Sequence, residues 1–227
     1  MIFNLESERV MVINNKLLSR LILLVFVIAV SGCGSKKPAK IDYGEFEGNV
    51  YRNEYFGMTA EVPVEWYICD RETINRVNET GKQIIAGDDE NMRAIIDASN
   101  LVTVNLFQAF EYPVGAPVPF NSSIVSVAEK VEQYPGIKSG NDYLYHVKRN
   151  LESSKIDVTI LDDTKSKVID GLEFNEMSIE LRMSGVVAKQ KYYVTILNNY
   201  ALCIIVSYDN DEHESALASI IDTIKFE

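Results

Sequence analysis

Side chains able to do chemistry are few in this chain and stand far apart. There are two histidines, His146 and His213, and three cysteines, Cys33, Cys69 and Cys203. Acyl-transfer chemistry needs a nucleophile beside a base, and a zinc site needs His, Cys or carboxylate ligands at short spacing. Neither histidine belongs to an HExxH, CxxC, GxSxG or phosphate-loop pattern. His146 falls beside Tyr143 and Lys148 on an expected helix, where packing or surface exposure accounts for it. His213 opens the last expected helix, where capping and packing suffice. Two acidic runs could attract a hard cation: Asp88-Asp89-Glu90, and Asp209-Asn210-Asp211-Glu212 with Glu214. Calcium needs six to eight oxygens, and neither run has the Asp-x-Asp-x-Asp-Gly loop with its distant Glu. Both precede helices, where acidic residues cap and complement the dipole. The sequence therefore assigns no catalytic residue, no metal ligand and no cofactor, and the expectation is a protein that is not an enzyme.

Cys33 is the exception, because its setting points to a covalent modification. Ten uninterrupted apolar residues, Leu21 to Val30, run into Ser31-Gly32-Cys33 and then the polar stretch Gly34-Ser35-Lys36-Lys37-Pro38. Lys16 and Arg20 supply a positive flank before the apolar run, and small residues precede the cysteine. The segment resembles a bacterial lipoprotein signal peptide, with a lipobox ending at Cys33. The resemblance implies cleavage before Cys33 and a diacylglycerol on its sulfur, often with an N-acyl chain. Two acyl chains suffice for stable anchoring. A membrane-spanning helix is the competing reading, but the apolar run is well short of the ~20 residues a span requires. Met1 to Val10 is acidic and unlike a signal-peptide start, so Met11 is an alternative initiator. The expected address is the cell envelope, anchored to a membrane by acyl chains with the domain outside the cytoplasm.

Charge narrows the partners. The full chain carries a net charge of −11, and residues 1–32 hold three basic and two acidic side chains, so the cleaved form stands at −12. Such a charge repels nucleic acid and anionic headgroups, which makes nucleic acid a poor partner. With 47% hydrophobic residues the chain can build one sizeable core without disulfide staples. Cys69 and Cys203 could pair in an oxidising exterior, or stand as two unpaired structural thiols; Cys203 lies in an apolar run where a small buried hydrophobe is expected.

The expected organisation is a signal peptide over 1–32, a lipidated cysteine with flexible tether over 33–42, and a single domain over 43–227. Val50 to Pro63 reads as two short strands with a turn at Gly57, and Pro63 ends the second. Asp70 is placed to cap a helix running toward Ile85, with Glu72 in its first turn. Gly87-Asp88 breaks it, and Met92, Ile95 and Ile96 mark the next helix. Leu101 to Phe110 alternates as a strand, with Leu101, Thr103, Asn105 and Phe107 on one face. Ile124 to Val127 suggests another, followed by a turn at Tyr134-Pro135-Gly136. Asn141 or Asp142 can cap a helix bearing Leu144, Val147 and Leu151. Strands are then expected at Ile156–Ile160, Gly171–Met183, Val186–Leu197 and Tyr200–Val206, with Asn198-Asn199 as a hairpin turn. The last of these is apolar on both faces and must be covered twice. A closing helix is expected from Glu212 to Lys225 on the stripe Leu217, Ile220, Ile221, Ile224. This order predicts an α+β fold: a mainly antiparallel central sheet of about six or seven strands flanked by helices on both faces.

The order of elements, with Tyr51-Arg52-Asn53-Glu54-Tyr55-Phe56-Gly57-Met58, Val62-Pro63-Val64-Glu65-Trp66 and the closing strand and helix to Phe226, resembles the PsbP-like family. That family includes bacterial lipoproteins, and the resemblance implies an α/β sandwich. Its metal-ligating histidines have no counterpart here, so no metal function is carried over.

One loop stands out. Tyr112-Pro113-Val114-Gly115-Ala116-Pro117-Val118-Pro119-Phe120 cannot be helix or interior strand. If exposed, its apolar residues Tyr112, Val114, Val118 and Phe120 would bind a partner at little ordering cost; if folded back, they would cover a sheet edge. The expected function is a lipid-anchored, non-enzymatic accessory module that binds another envelope component, an envelope protein among them. The alternative is a lipoprotein that binds a solute, sugar or cation.

Overall fold

Strand β11, Tyr200–Tyr208, sets the layout of the domain because it is apolar on both faces. Leu202, Ile204, Val206 and Tyr208 enter one core cluster, whereas Ala201 and Cys203 enter a second on the opposite side. Such a strand belongs in the middle of a twice-covered sheet. The computed structural model, which describes residues 40–227 except Lys155, Asp163 and Ser184 and leaves the Met183 side chain aside, puts it there. Cys33, the signal-peptide segment and most of the expected tether lie outside the described residues.

The large sheet runs β4 (Tyr67–Ile68), β5 (Thr103–Phe110), β6 (Ser123–Lys130), β11, β10 (Val186–Leu197), β9 (Leu172–Met183), β7 (Asp157–Ile160), and β8 (Lys165–Ile169) also pairs with β9. All of its pairs are antiparallel. A second sheet of four strands, β1 (Glu45–Glu47), β2 (Val50–Asn53), β3 (Met58–Glu61) and β12 (Lys225–Phe226), is antiparallel too. Four helices complete the described chain: α1 (Arg71–Ala86), α2 (Glu90–Asn100), α3 (Gly140–Ser153) and α4 (Asp211–Asp222).

The two faces of the large sheet are covered by different materials. On one, the second sheet contributes Tyr51, Met58 and Ala60, and α4 contributes Leu217, Ile220 and Ile221, all closing over Phe107, Phe174, Leu202 and Ile204. On the other, α3 brings Leu144 against Met177, Ile179 and Cys203, with Val147 and Leu151 half-buried beside them. Helix α1 shares this second side: its Asn78 bonds to Asn105 and Gln108, whose strand partners Val127 and Val125 lie next to Cys203 and Ile205. The fold is thus the α+β architecture with a mainly antiparallel sheet, but one cover is mostly a second sheet, and the large sheet has one strand more than expected.

Local chemistry fixes the joints. Asn198 and Asn199 both take positive φ in the hairpin between β10 and β11. Gly57 turns β2 into β3 at φ +62, and a Cβ there would lie 2.2 Å from the Glu227 carbonyl oxygen. Asp70 caps α1, accepting from the Thr73 amide at 2.8 Å. The cap of α3 is Ser139, not Asn141 or Asp142; Asp142 is the reciprocal partner of a capping box, accepting from the Ser139 amide at 2.9 Å. Backbone donors from Lys138 and Ser139 hold the Asp142 carboxyl below its usual range. The residue after that cap has to be small, since a Cβ on Gly140 would fall 2.1 Å from the Val194 carbonyl oxygen.

Three further expectations change. The alternation along β5 is broken by a bulge between Asn105 and Phe107, so Phe107 joins Leu106 in the two-sheet core while Asn105 points to α1. Arg71 holds the bulge: its guanidinium donates to the carbonyls of Asn105 at 2.5 Å and Leu106 at 3.1 Å and lies 4.3 Å over the Tyr43 ring. The closing helix ends at Asp222, because the Thr223 hydroxyl accepts from the Glu61 amide and the chain turns to pair β12 with β3. Strand β8 was not expected; Asp170 and Gly171, both at positive φ, turn it back onto β9.

Candidate functional site

Two regions of the surface offer more than packing. They lie at opposite ends of the β5–β6 hairpin. The first is the Pro-rich loop joining these strands. It is ordered by a side-chain clamp: the Tyr112 amide donates to Asn121 Oδ1 at 2.9 Å, and Asn121 Nδ2 donates to the Tyr112 carbonyl at 2.8 Å. Two short turns, Ala116 amide to Pro113 carbonyl and Val118 amide to Ala116 carbonyl, stiffen the tip. Tyr112 is 42% and Val114 37% exposed, whereas Val118 and Phe120 are half-buried. The four expected binding residues therefore divide into two that face solvent and two that turn partly inward.

A polar knot underlies this loop. His213, in the first turn of α4, places Nδ1 2.6 Å from Asp209 Oδ1 and Nε2 3.4 Å from Glu111 Oε2. The Asn210 side chain caps α4 through the His213 amide at 3.0 Å. The bond and charge of Glu111 push the Tyr112 hydroxyl pKa up. Gln108 Oε1 and Ser122 Oγ, at the root of the loop, are buried with no hydrogen-bond partner among the described residues, and His213 Nε2 is the neighbour of the buried Glu111 Oε2. The sequence marks His213 as a helix start but carries no signal that it meets Glu111, 102 positions away. His146 is on α3, exposed, with its ring 5.6 Å edge-on from that of Tyr145.

The second region is an open cleft of about 600 Å³ between α2, α3 and the turn after β6. Its walls are mostly apolar, with Ile95 and Ala98 from α2, Pro135 and Ile137 from the turn and Val147 from α3, and His146 and Asn150 of α3 add polar groups. Glu129, from the sheet beneath, accepts a 2.7 Å hydrogen bond from the Tyr143 hydroxyl. Burial, with the neighbouring Glu129 charge, holds the Tyr143 pKa well above the ordinary tyrosine value. No residue of α2 is buried, and Ile95 is 52% exposed, so the stripe expected to seal this helix leaves one apolar wall open.

Among the described residues no group of His, Cys, Asp or Glu is placed to hold a metal ion. Cys69 and Cys203 are both free and buried. Cys203 sits in the helix-covered core, and burial raises the Cys69 thiol to about 11. No helix among the described residues is long and apolar enough to cross a membrane.

This is an α+β domain in which an antiparallel sheet presents a clamped loop at one end of a hairpin and a cleft at the other. No protein-family model and no curated protein matches the sequence. Among solved structures, the chain is similar to the cyanobacterial PsbP protein CyanoP of Synechocystis, at 8% identity and a TM-score of 0.44, over 87% of this chain and 99% of that one. It is also similar to LpqN of Mycobacterium tuberculosis, which is involved in cell envelope biogenesis, at 11% identity and a TM-score of 0.41, over 74% and 82% of the two chains. PA94 of Pseudomonas aeruginosa, a protein of unknown function, gives 14% identity and a TM-score of 0.40, over 53% and 78%.

Proposed function

We propose that the chain is a lipoprotein anchored through acyl chains on Cys33, with a PsbP-like domain outside the cytoplasm that acts as a non-enzymatic accessory module for another cell-envelope component. The anchor rests on the apolar run, the small residues before Cys33 and the polar stretch behind it. The binding role rests on one observation above the others: Tyr112 and Val114 are exposed on a loop already fixed by Asn121 and three prolines. An aromatic and an aliphatic side chain held in place bind without the cost of ordering the loop. Metabolic labelling with a fatty-acid probe, compared with Cys33→Ser, tests the anchor; an unlabelled wild-type chain would refute it. Photocrosslinking in intact cells from a probe at position 114 tests the loop. The expected result is one discrete crosslinked envelope protein, lost in Tyr112→Ala and kept in Tyr145→Ala, a control on exposed α3 surface. Crosslinks indifferent to Tyr112 would sink the loop as the binding surface while leaving the anchor standing.

A further inference from the structure

The cleft over Glu129 has a composition that selects a ligand. Its walls are mostly apolar, Tyr134 lies at its edge 45% exposed, the uncharged amides of Gln133 and Asn150 and the His146 ring also line it, and Glu129 is its one carboxylate, with no Lys or Arg lining the cleft. A carboxylate among apolar groups is costly unless it is hydrogen-bonded or paired. Glu129 has one such bond, from Tyr143 to Oε2, and no Lys or Arg forms an ion pair with it among the described residues. Lys130, its chain neighbour, is paired instead with Glu132 at 2.9 Å. The volume of about 600 Å³ falls within the range of small-molecule sites. We propose that this cleft binds a small organic cation, an ammonium group carried on an apolar body, with the ammonium meeting the Glu129 carboxylate and the body lying along Ile95, Ile137 and Val147. Tyr143 holds the carboxylate in place, and Tyr134 can add a cation–π contact at the mouth.

Charge complementarity separates this ligand from its isosteres. An anion of the same shape would meet the Glu129 carboxylate with no Lys or Arg in the cleft to offset it, and a neutral alcohol would gain a hydrogen bond without the charge attraction. The test uses the full chain in lipid nanodiscs with labelled isoleucine methyls, reading Ile95 and Ile137, and three probes of one shape: phenethylamine, 2-phenylethanol and 3-phenylpropionate. Empty nanodiscs correct for partitioning. The expected result is saturable shifts at both methyls, with the amine at least about tenfold tighter than the alcohol and the carboxylate weakest. Glu129→Gln, which can still accept from Tyr143, should bring the amine to within about twofold of the alcohol, while Glu132→Gln should leave the preference intact. If Glu129→Gln fails to fold, Ala98→Trp, which fills the cleft from an exposed helix position, should abolish the shifts for all three. An amine no tighter than the alcohol, a preference that survives Glu129→Gln or Ala98→Trp, or three probes that leave both methyls unmoved would each overturn the proposal.

Discussion

The two faces of the large sheet are built from the same strands yet differ in how completely they are closed. The face under the second sheet and α4 is closed: Phe174, Leu202, Ile204, Leu217 and Ile221 are almost wholly buried there. The helical face is closed under α3 and open under α2, where Ile95 remains half in water and a cleft is left over Glu129. Sheet-on-sheet packing interdigitates two regular surfaces, whereas α2, tied to α1 by the Lys82–Asp97 ion pair, touches the sheet mainly near the start of β5. One face is therefore closed along its length, and the other is closed only under α3. The latter has surface to spare for a ligand.

The sharpest way to break this comparison is to truncate one large side chain on each side. Phe174→Ala on the closed face should cost about 3–5 kcal/mol, and Ile95→Ala on the open helix about 0.5 kcal/mol or less, both read from urea unfolding. Similar costs would mean that α2 is sealed after all. Next comes Arg71, which satisfies the carbonyls freed by the β5 bulge that sends Phe107 to the closed face. Arg71→Ala should destabilise by about 1.5–3 kcal/mol, with Arg71→Lys recovering only part, because one ammonium cannot reach both carbonyls in a fixed fork.

A smaller effect should appear at alkaline pH. Burial pushes the pKa of Tyr51, Tyr193 and Tyr208, on the closed face, above the ordinary tyrosine range, and that of Cys69 from 9.0 to about 11. Unfolded chains release these protons at lower pH than folded ones, so the stability is fully present below about pH 9 and declines as pH rises through the folded values. The urea midpoint should fall steadily from pH 9 to 11. Cys69→Ser should flatten the first part of that fall, and a midpoint that rose over this interval would contradict the burial described.

Much of the fold was legible because its signals are local. Asn198-Asn199, Gly57 and Asp70 each state a turn or a cap in one or two residues, and the double-sided apolar run of β11 announces a central strand. The closing stripe, ending at Ile224, carries the expected helix on to Lys225 because periodicity cannot tell a last turn from a residue that is buried beyond the helix end. Strand β8 was missed because Lys165, Ser166 and Lys167 are polar, as suits the outer edge of a sheet; the Asp170-Gly171 pair was the available signal. The loop was visible from its prolines, but the division between exposed Tyr112 and half-buried Phe120 depends on tertiary contacts. The cleft had only one mark in the sequence: a glutamate, Glu129, at the end of the alternating run that begins at Ile124.

Hydrogen exchange on the full chain measures the difference between the two faces most directly. The backbone amides of Leu202 to Ile205 in β11 should exchange only through global unfolding, while those of Ile95 to Ser99 in α2 should exchange through local opening, at least about a hundredfold faster. Equal protection of β11 and α2 would contradict the account, since it would make the helical cover as closed as the sheet opposite.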